Sequence, residues 1–433
     1  MQNKVEFILN DSSLFKNNII SWSSSFDKIA YFDSNNYKDK IPNSYDILVG
    51  VGAKQSIELI DEKDAFYKLQ KFYNKHKNWM FGFFSYDLKN DTEKLKSENK
   101  YTLDFPVLHF FIPEFVLEIK NNVLIISSNN STKKIKSIFE EIKLSNYSDN
   151  CTCNINFKSQ YKKEEYIHKV DNLKKHIKHG DIYEINFCQE FFANNVETDP
   201  LSLYTKLNTI SPMPFSAFYK LNNKYLISAS PERFIKKVGN TVVSQPIKGT
   251  IKRGVSKKED LELKIELQTN IKERAENIMI VDLVRNDLSK IATKNSVKVT
   301  ELCKIYTYPQ VHQMISTIEA QVSAQTSSIE IIKHLFPMGS MTGAPKIKAM
   351  ELIEEYEESK RGLYSGTVGY IKPDGDFDFN VIIRSLFYNK DKKHLSFQVG
   401  GAITIKSDAE KEYEECLIKA KAILKATNII KPQ

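Results

Sequence analysis

Apolar residues recur along the chain with two periods. As far as about residue 150 they fall in short β-rich runs between polar turns. Phe7-Ile8-Leu9, Ile47-Leu48-Val49, Met80 to Tyr86 and Val123-Leu124-Ile125-Ile126 predict strands. Asp61 to Lys77 has helical spacing, with Ala65, Leu69 and Phe72 on one side. Lys89 to Lys100 is charged and reads as a mobile loop. Ser128 to Thr132 and Ser145 to Thr152 are polar and turn-rich, and the second is the candidate boundary between residues 1–150 and 151–433.

Beyond that boundary the elements lengthen. Tyr161 to His179 predicts a helix stopped by Gly180, and Asp181 to Phe192 a strand. Phe215 to Ser228 predicts a hairpin turning at Asn222-Asn223. Gln268 to Ile291 predicts one amphipathic helix with the stripe Ile271, Ala275, Ile278, Met279 and Leu283. Pro345 opens another helix. Gly366 to Tyr370 and Phe377 to Phe387 predict paired strands across Pro373-Asp374-Gly375, and Leu395 to Ile405 a further strand. Ser407-x-x-Glu410 has the form of a capping box before a last helix carrying Tyr413, Leu417, Ala420 and Leu424.

Composition narrows the class. The 433 residues, 41% hydrophobic and 27% charged, are those of a soluble globular protein with room for two or three domains or one large domain with an annex. The net charge of +8 is spread among interleaved acids, unlike the single patch of a nucleic-acid binder. The five cysteines lack zinc-site spacing and read as free thiols in a reducing cytosol. Met1 to Ser12 does not read as a signal peptide, and no apolar run has the length of a membrane span. Of the 15 glycines only Gly50, Gly52 and Gly82 precede residue 180, so the tight turns and close approaches, and with them the chemistry, are expected downstream.

Candidate chemistry begins at Ser244-Gln245-Pro246-Ile247-Lys248-Gly249-Thr250. A lysine at such a strand end is either a solvated surface residue or a nucleophile or base whose pKa burial lowers. Glu273 and Glu276 share one face of their helix, and Glu412 and Glu415 repeat that spacing, with Lys419 one turn beyond Glu415. Four such carboxylates suit Mg²⁺, but spacing alone equally describes solvated helix faces. Arg384 stands in the apolar run Val381-Ile382-Ile383-Arg384-Ser385-Leu386 and needs a partner, structural or a ligand carboxylate. Gly339 to Pro345, including Ser340, offers free N–H groups at a helix start. Glu232, beside Arg233, is a general acid or half of an ion pair. His312 reads as structural.

The ordered series carries more than any member. Gly180-Asp181-Ile182-Tyr183, Ser230-Pro231-Glu232-Arg233-Phe234, Pro246-Ile247-Lys248-Gly249-Thr250, Glu273 to Asp287 and Gly339 to Lys346 come first. Val368-Gly369-Tyr370, Ile383-Arg384-Ser385 and Glu412 to Glu415 follow. Over residues 161 to 425 the chain resembles the chorismate-utilising enzymes. Gly82-Phe83-Phe84-Ser85-Tyr86-Asp87 and Phe105 to Pro113 are similar to the accessory domain of the same enzymes.

The resemblance implies an α+β fold: a large two-sheet antiparallel sandwich with helices outside. It implies an N-terminal accessory domain at 1–150, interleaved with the core, and a chorismate-binding catalytic domain at 151–433. Lys248 in its motif resembles the branch forming 4-amino-4-deoxychorismate on the way to 4-aminobenzoate and folate. Anthranilate, isochorismate or salicylate synthesis on the same scaffold are the alternatives, and a basic nucleic-acid-binding protein is the non-enzyme one.

The implied roles are as follows. Mg²⁺ is held by Glu276 and Glu415, supported by Glu273 and Glu412. Thr250, Ser340, Tyr370, Arg384, Gly400, Gly401 and Lys419 contact substrate. Lys248 attacks ring carbon C2 with a lowered pKa, and Glu232 is the acid with a raised one. Ammonia then adds at C4. A separate glutaminase subunit supplies the ammonia and a separate lyase completes 4-aminobenzoate; no nucleic-acid or membrane partner is implied, and the setting is cytoplasmic. Two departures stand out. Many relatives have histidine where this chain has Gln313, its own histidine being His312, and Ala402 stands where the family often has glycine. The tryptophan site of some relatives is not matched.

Overall fold

The computed structural model describes residues 3–37, 45–146, 155–309 and 311–429. Two antiparallel sheets, one of 12 strands and one of 10 among the described residues, lie face to face. Buried side chains from both, such as Leu48, Tyr219 and Leu226 from the first and Phe81, Phe83 and Ile235 from the second, form the core between them. A second core lies beneath the helices on the outer face of the first sheet, joining Leu173, Phe187, Phe397, Ala420 and Leu424. Helices therefore lie outside, and this is the α+β sandwich expected.

Strands from the first 150 residues enter both sheets. Lys28–Asp33 pairs with Phe215–Leu221 in the first, and Met80–Phe84 with Thr367–Ile371 in the second. The hairpin Phe215–Leu221 and Lys224–Ser230 turns at Asn222, whose φ of 54 suits an asparagine in a tight hairpin turn. Gly180 caps the Lys163–His179 helix with φ 92.

Several elements differ from the sequence pattern. The helix expected over Gln268 to Ile291 is two helices, Lys257–Thr269 and Ile271–Ser289, parted at Asn270. Asn270 caps the second by accepting from the Glu273 N–H at 3.1 Å. The buried face of this second helix is Asn277, Ile280, Val281, Val284, Asp287 and Leu288, whereas Ile271 is 82% exposed. Asn277 and Asp287 are buried because both are bonded, Asn277 to the Met314 carbonyl and Asp287 to Lys346. A polarity count alone picks the wrong face here.

The expected strand Phe377 to Phe387 is also two. Phe377–Asn380 belongs to the second sheet and Ser385–Asn389 to the first, and residues 381–384 carry the chain across. The last helix, Ala409–Ala426, is capped by Asp408 bonded to the Lys411 N–H, so the Ser407 capping box is not formed. Lys89, expected in a mobile loop, is 1% exposed and donates to Asn90, Ser97 and the Lys96 carbonyl, which folds that segment down. Of the candidate boundary at Ser145 to Thr152, residues 147–152 lie outside the described residues, as do Cys151 and Cys153.

Candidate active site

Two of the places where the chain steps between the sheets run side by side. Lys224–Ser230 in the first sheet leads through Pro231 and Glu232 to Arg233–Val238 in the second. Residues 381–384 return the other way. The Val381 N–H donates to the Glu232 carbonyl at 3.0 Å, and Ala229 N–H to the Arg384 carbonyl at 3.2 Å. Neither step extends a ladder, so the side chains of Glu232 and Arg384 are free to face a site rather than a neighbouring strand.

Glu232 is 4% exposed, and Ser340 Oγ donates to its Oε1 at 2.7 Å. Burial pushes its carboxyl up to about 7, against the opposing pull of Ser340, Lys248 and Arg384. Arg384 adopts φ 53, a left-handed conformation costly for a long side chain. Burial lowers its pKa, opposed by Glu232 and Tyr308, and its guanidinium makes no ion pair among the described residues.

Lys248 comes from the edge strand Ile247–Lys252 of the second sheet. Its pairing with Val311–Gln321 slips between Ile247 and Thr250, where Gly249 takes φ +91. The slip presses the backbone against the Ile271–Ser289 helix. A Cβ on Gly249 would lie 3.1 Å from Glu273 Oε2, and Asn277 Nδ2 donates to the Lys248 carbonyl at 3.3 Å. Lys248 Nζ reaches over to the first sheet and donates to Glu184 Oε1 at 2.8 Å. Burial alone would lower the lysine's pKa, but Glu184, Glu276 and Glu232 reverse the sign and hold it raised. The lowered pKa expected from the sequence is thus overturned by its anionic neighbours.

The carboxylate group closes one side. Gly400 and Gly401 lie opposite Cys188 and Phe187 in the ladder, and a Cβ on Gly400 would meet the Phe187 carbonyl at 2.2 Å. Over Gly401, the same construction finds Glu412 Oε2 at 3.3 Å and both Glu415 Oε1 and Lys419 Nζ at 3.6 Å. Lys419 binds Glu415 at 2.7 Å and the Gly400 carbonyl at 2.8 Å. Lys272 Nζ lies 3.7 Å from both Glu276 and Glu412 and bridges the two helices. Burial raises Glu276 to about 7 and raises Glu273 and Glu412, whereas Lys419 lowers Glu415.

No group of three or more His, Cys, Asp or Glu among the described residues already converges on one point as a metal cage. The donor set nevertheless fits a hard divalent cation. It is all oxygen, it is anionic, and the buried Glu276 Oε1 lacks a hydrogen-bond donor.

Two expected contacts lie apart. Tyr370 faces a cavity of about 720 Å³ between the sheets, lined also by Phe32, Tyr45, Arg233 and Thr317. Glu232 and Ser340 line a separate, much smaller crevice with Pro246 and Met338. Thr250 is exposed on the edge strand. His312 points to the helices and bonds Asp260 at 3.1 Å, as a structural histidine does, while Gln313 is buried with Oε1 unpartnered.

Glu184 and Lys272 join the site from outside the sequence motifs. For Glu184 a signal was present: a carboxylate opening the apolar run Ile185-Asn186-Phe187-Cys188 needs a partner for the same reason Arg384 does. Lys272 carried none, since a lysine beside two glutamates on a helix looks like any surface ion pair.

The family described as chorismate binding enzyme matches residues 16–425. The chain belongs to this family. It is 41% identical over 263 residues to aminodeoxychorismate synthase, chloroplastic, of Arabidopsis thaliana, covering 60% of this chain but only 28% of that longer protein. It is 34% identical to aminodeoxychorismate synthase component 1 of Escherichia coli, covering 79% of this chain and 76% of that one. It is 33% identical to anthranilate synthase component 1 of Saccharolobus solfataricus, covering 82% and 81%. Anthranilate synthase component I of Streptococcus pneumoniae superposes with a TM-score of 0.78 at 25% identity, covering 89% of this chain and 93% of that one. This is therefore a chorismate-converting enzyme, similar to both aminodeoxychorismate and anthranilate synthases. Among the described residues no helix is long and apolar enough to cross a membrane.

Proposed function

We propose that the chain aminates chorismate at C4 to give 4-amino-4-deoxychorismate, with ammonia from a glutaminase partner and a separate lyase acting afterwards. The observation that carries this is Lys248: a largely buried lysine spanning the sheets beside a carboxyl, Glu232, pushed up to about 7. Arg384, with Lys419, receives the substrate carboxylates; its unpaired guanidinium supports the role. Lys248 then attacks ring carbon C2 as the C4 hydroxyl leaves with the Glu232 proton. A carboxyl titrating near 7 still holds that proton at neutral pH and is a strong enough acid to give it up. Ammonia adds at C4 and displaces the lysine, so one hard substitution becomes two easier ones.

Glu276 and Glu415, with Glu273 and Glu412 behind them, would hold Mg²⁺. When bound, it neutralises a substrate carboxylate and fixes its orientation. Glu232 and Lys248 handle the proton and the bond making.

The second reading is anthranilate synthesis, favoured by the likeness to the Saccharolobus and Streptococcus anthranilate synthases. Product analysis decides. Purified protein is given chorismate, Mg²⁺ and an ammonium salt, as wild type and as Lys248→Ala. A product that an added aminodeoxychorismate lyase turns into 4-aminobenzoate, with a sharp loss in the variant, supports amination at C4. Release of anthranilate, or of an isochorismate-type product without ammonia, refutes it.

A further inference from the structure

Glu184 begins the Glu184–Ala193 strand, is 1% exposed, and has two oxygens in unlike situations. Oε1 accepts from Lys248 at 2.8 Å; Oε2 is buried with no hydrogen-bond partner. Lys248, with three N–H donors, makes this one hydrogen bond among the described residues.

The same chain holds a buried pair of the opposite kind. Glu357 takes the Cys188 N–H at 2.9 Å and Arg361 at 2.7 and 2.9 Å, and Arg361 reaches the Met341 and Asn186 carbonyls besides. That network is satisfied on every side, as a buried charge serving the fold has to be. The Lys248–Glu184 pair joins the two sheets through one contact and leaves donors and an acceptor unused. As a structural device it is poor; as a pair that exchanges a proton it needs no other bond to break.

Resting on the lysine mechanism above, we propose that Glu184 is the proton acceptor for Lys248. Its Oε1 takes one proton from the ammonium, leaving a neutral amine beside a neutral carboxylic acid. The amine lone pair forms the bond to C2. The C1=C2 pair moves to C1=C6, the C5=C6 pair moves to C4=C5, and the C4–O bond breaks, its oxygen leaving as water with the Glu232 proton. The bonded nitrogen now carries the positive charge. When ammonia bonds to C4 the shifts reverse, the C2–N bond breaks, and the lysine leaves as an amine that retakes its proton from Glu184. The new C4 ammonium returns one proton to Glu232. Atoms and charges close with ammonia in and water out.

The other charged groups around the pair are Glu273 and Glu276 on the Ile271–Ser289 helix, Glu415 and Lys419 on the Ala409–Ala426 helix, and Glu232 at the crossover. All are kept in the variants, so a difference between variant and wild type belongs to Glu184.

The test measures kcat and KM with chorismate, Mg²⁺ and ammonium salt from about pH 6.5 to about pH 9.5. Glu184→Gln is expected to lower kcat by about 10²–10⁴-fold near neutrality with KM for chorismate little changed. The deficit should shrink as pH rises, because hydroxide replaces the missing acceptor. Glu184→Ala should regain rate when formate is added, and this carries the test if the Gln variant fails to fold. A deficit of one size at every pH without formate rescue would overturn the proposal, since a packing defect behaves that way. Wild-type rate in Glu184→Gln with an inactive Lys248→Ala would overturn it alone. Wild-type rate in Lys248→Ala would overturn the lysine mechanism beneath it as well.

Discussion

Glu232 offers a prediction in which function and stability oppose each other. Its carboxyl titrates at about 7 in the folded chain against 4.5 as a free side chain. Between those values the folded protein holds a proton that the unfolded chain has released. Stability from this group is therefore complete below the unfolded pKa, falls as pH rises, and is lost above the folded pKa. Each unit of difference is 1.36 kcal/mol, so ionising Glu232 costs the fold about 3 kcal/mol by pH 8. Glu232→Gln removes the ionisation while an oxygen still accepts from Ser340. At pH 5 Glu232 is neutral in the folded protein and mostly ionised in the unfolded chain, so the variant should exceed wild type there by less than about 1 kcal/mol. At pH 8 it should exceed wild type by as much as about 3 kcal/mol, and it should be catalytically dead at both. Urea unfolding of both proteins at the two pH values checks this, read as the variant's gain at pH 8 minus its gain at pH 5. A difference of zero or of opposite sign would refute the argument that burial, rather than the nearby cations, governs this carboxyl.

Four further outcomes follow from other parts of the site. Arg384→Lys keeps the charge but loses the two parallel donors, and should raise KM for chorismate by about tenfold or more, checked by steady-state kinetics. Gly401→Ala places a methyl among Glu412, Glu415 and Lys419 without touching backbone, and should keep the fold while raising the Mg²⁺ needed for half-maximal rate. Gly400→Ala meets the Phe187 carbonyl instead and should express poorly, which solubility and thermal melting will separate. Because Glu276 titrates near 7, added Mg²⁺ should raise the melting temperature more at pH 8 than at pH 5.5, where protons compete for the site; an equal shift would count against Glu276 as a ligand.

Where the sequence was legible and where it failed have one physical cause. Periodicity reports burial of apolar surface, so it located the Lys163–His179 helix, the hairpin at Asn222 and the last helix. It failed where burial is polar. In Ile271–Ser289 the inward face carries Asn277 and Asp287 because strand carbonyls and Lys346 satisfy them, and this turned Ile271, Ala275 and Ile278 of the expected stripe outward. It failed again at the crossing before Arg384, where the apolar run Val381-Ile382-Ile383 hides a change of sheet. Apolarity is the same on either side of a two-sheet core, so nothing in the composition of that run marks the crossing. The motif series named Lys248 and Glu232, but the sign of the lysine's pKa depends on Glu184, Glu276 and Glu232 acting together. That sum belongs to three dimensions and is not a property of any spacing.

The position of the site in the fold follows from the same crossings. Within a ladder, backbone groups are spent on neighbouring strands and side chains alternate between core and solvent, which suits packing. At Pro231-Glu232 and at residues 381–384 the ladder is given up, and two stretches of irregular backbone support each other through Val381 and Ala229. The Glu232 carboxyl and the Arg384 guanidinium then sit near each other without forming an ion pair among the described residues. The slip at Gly249 takes Lys248 out of the ladder register at the sheet edge, where its Nζ reaches Glu184. If the crossings are what keep these groups apart, shortening the gap should waste them. In Arg384→Lys the shorter head still projects from the same left-handed backbone, so Glu232 should keep its raised pKa. Moving the guanidinium to residue 383, in the double variant Ile383→Arg with Arg384→Ile, should let it drift into pairing or out of the site. A pH–rate profile in which that swap retained the wild-type alkaline limb and chorismate KM would show that the crossing geometry is not what sets the site.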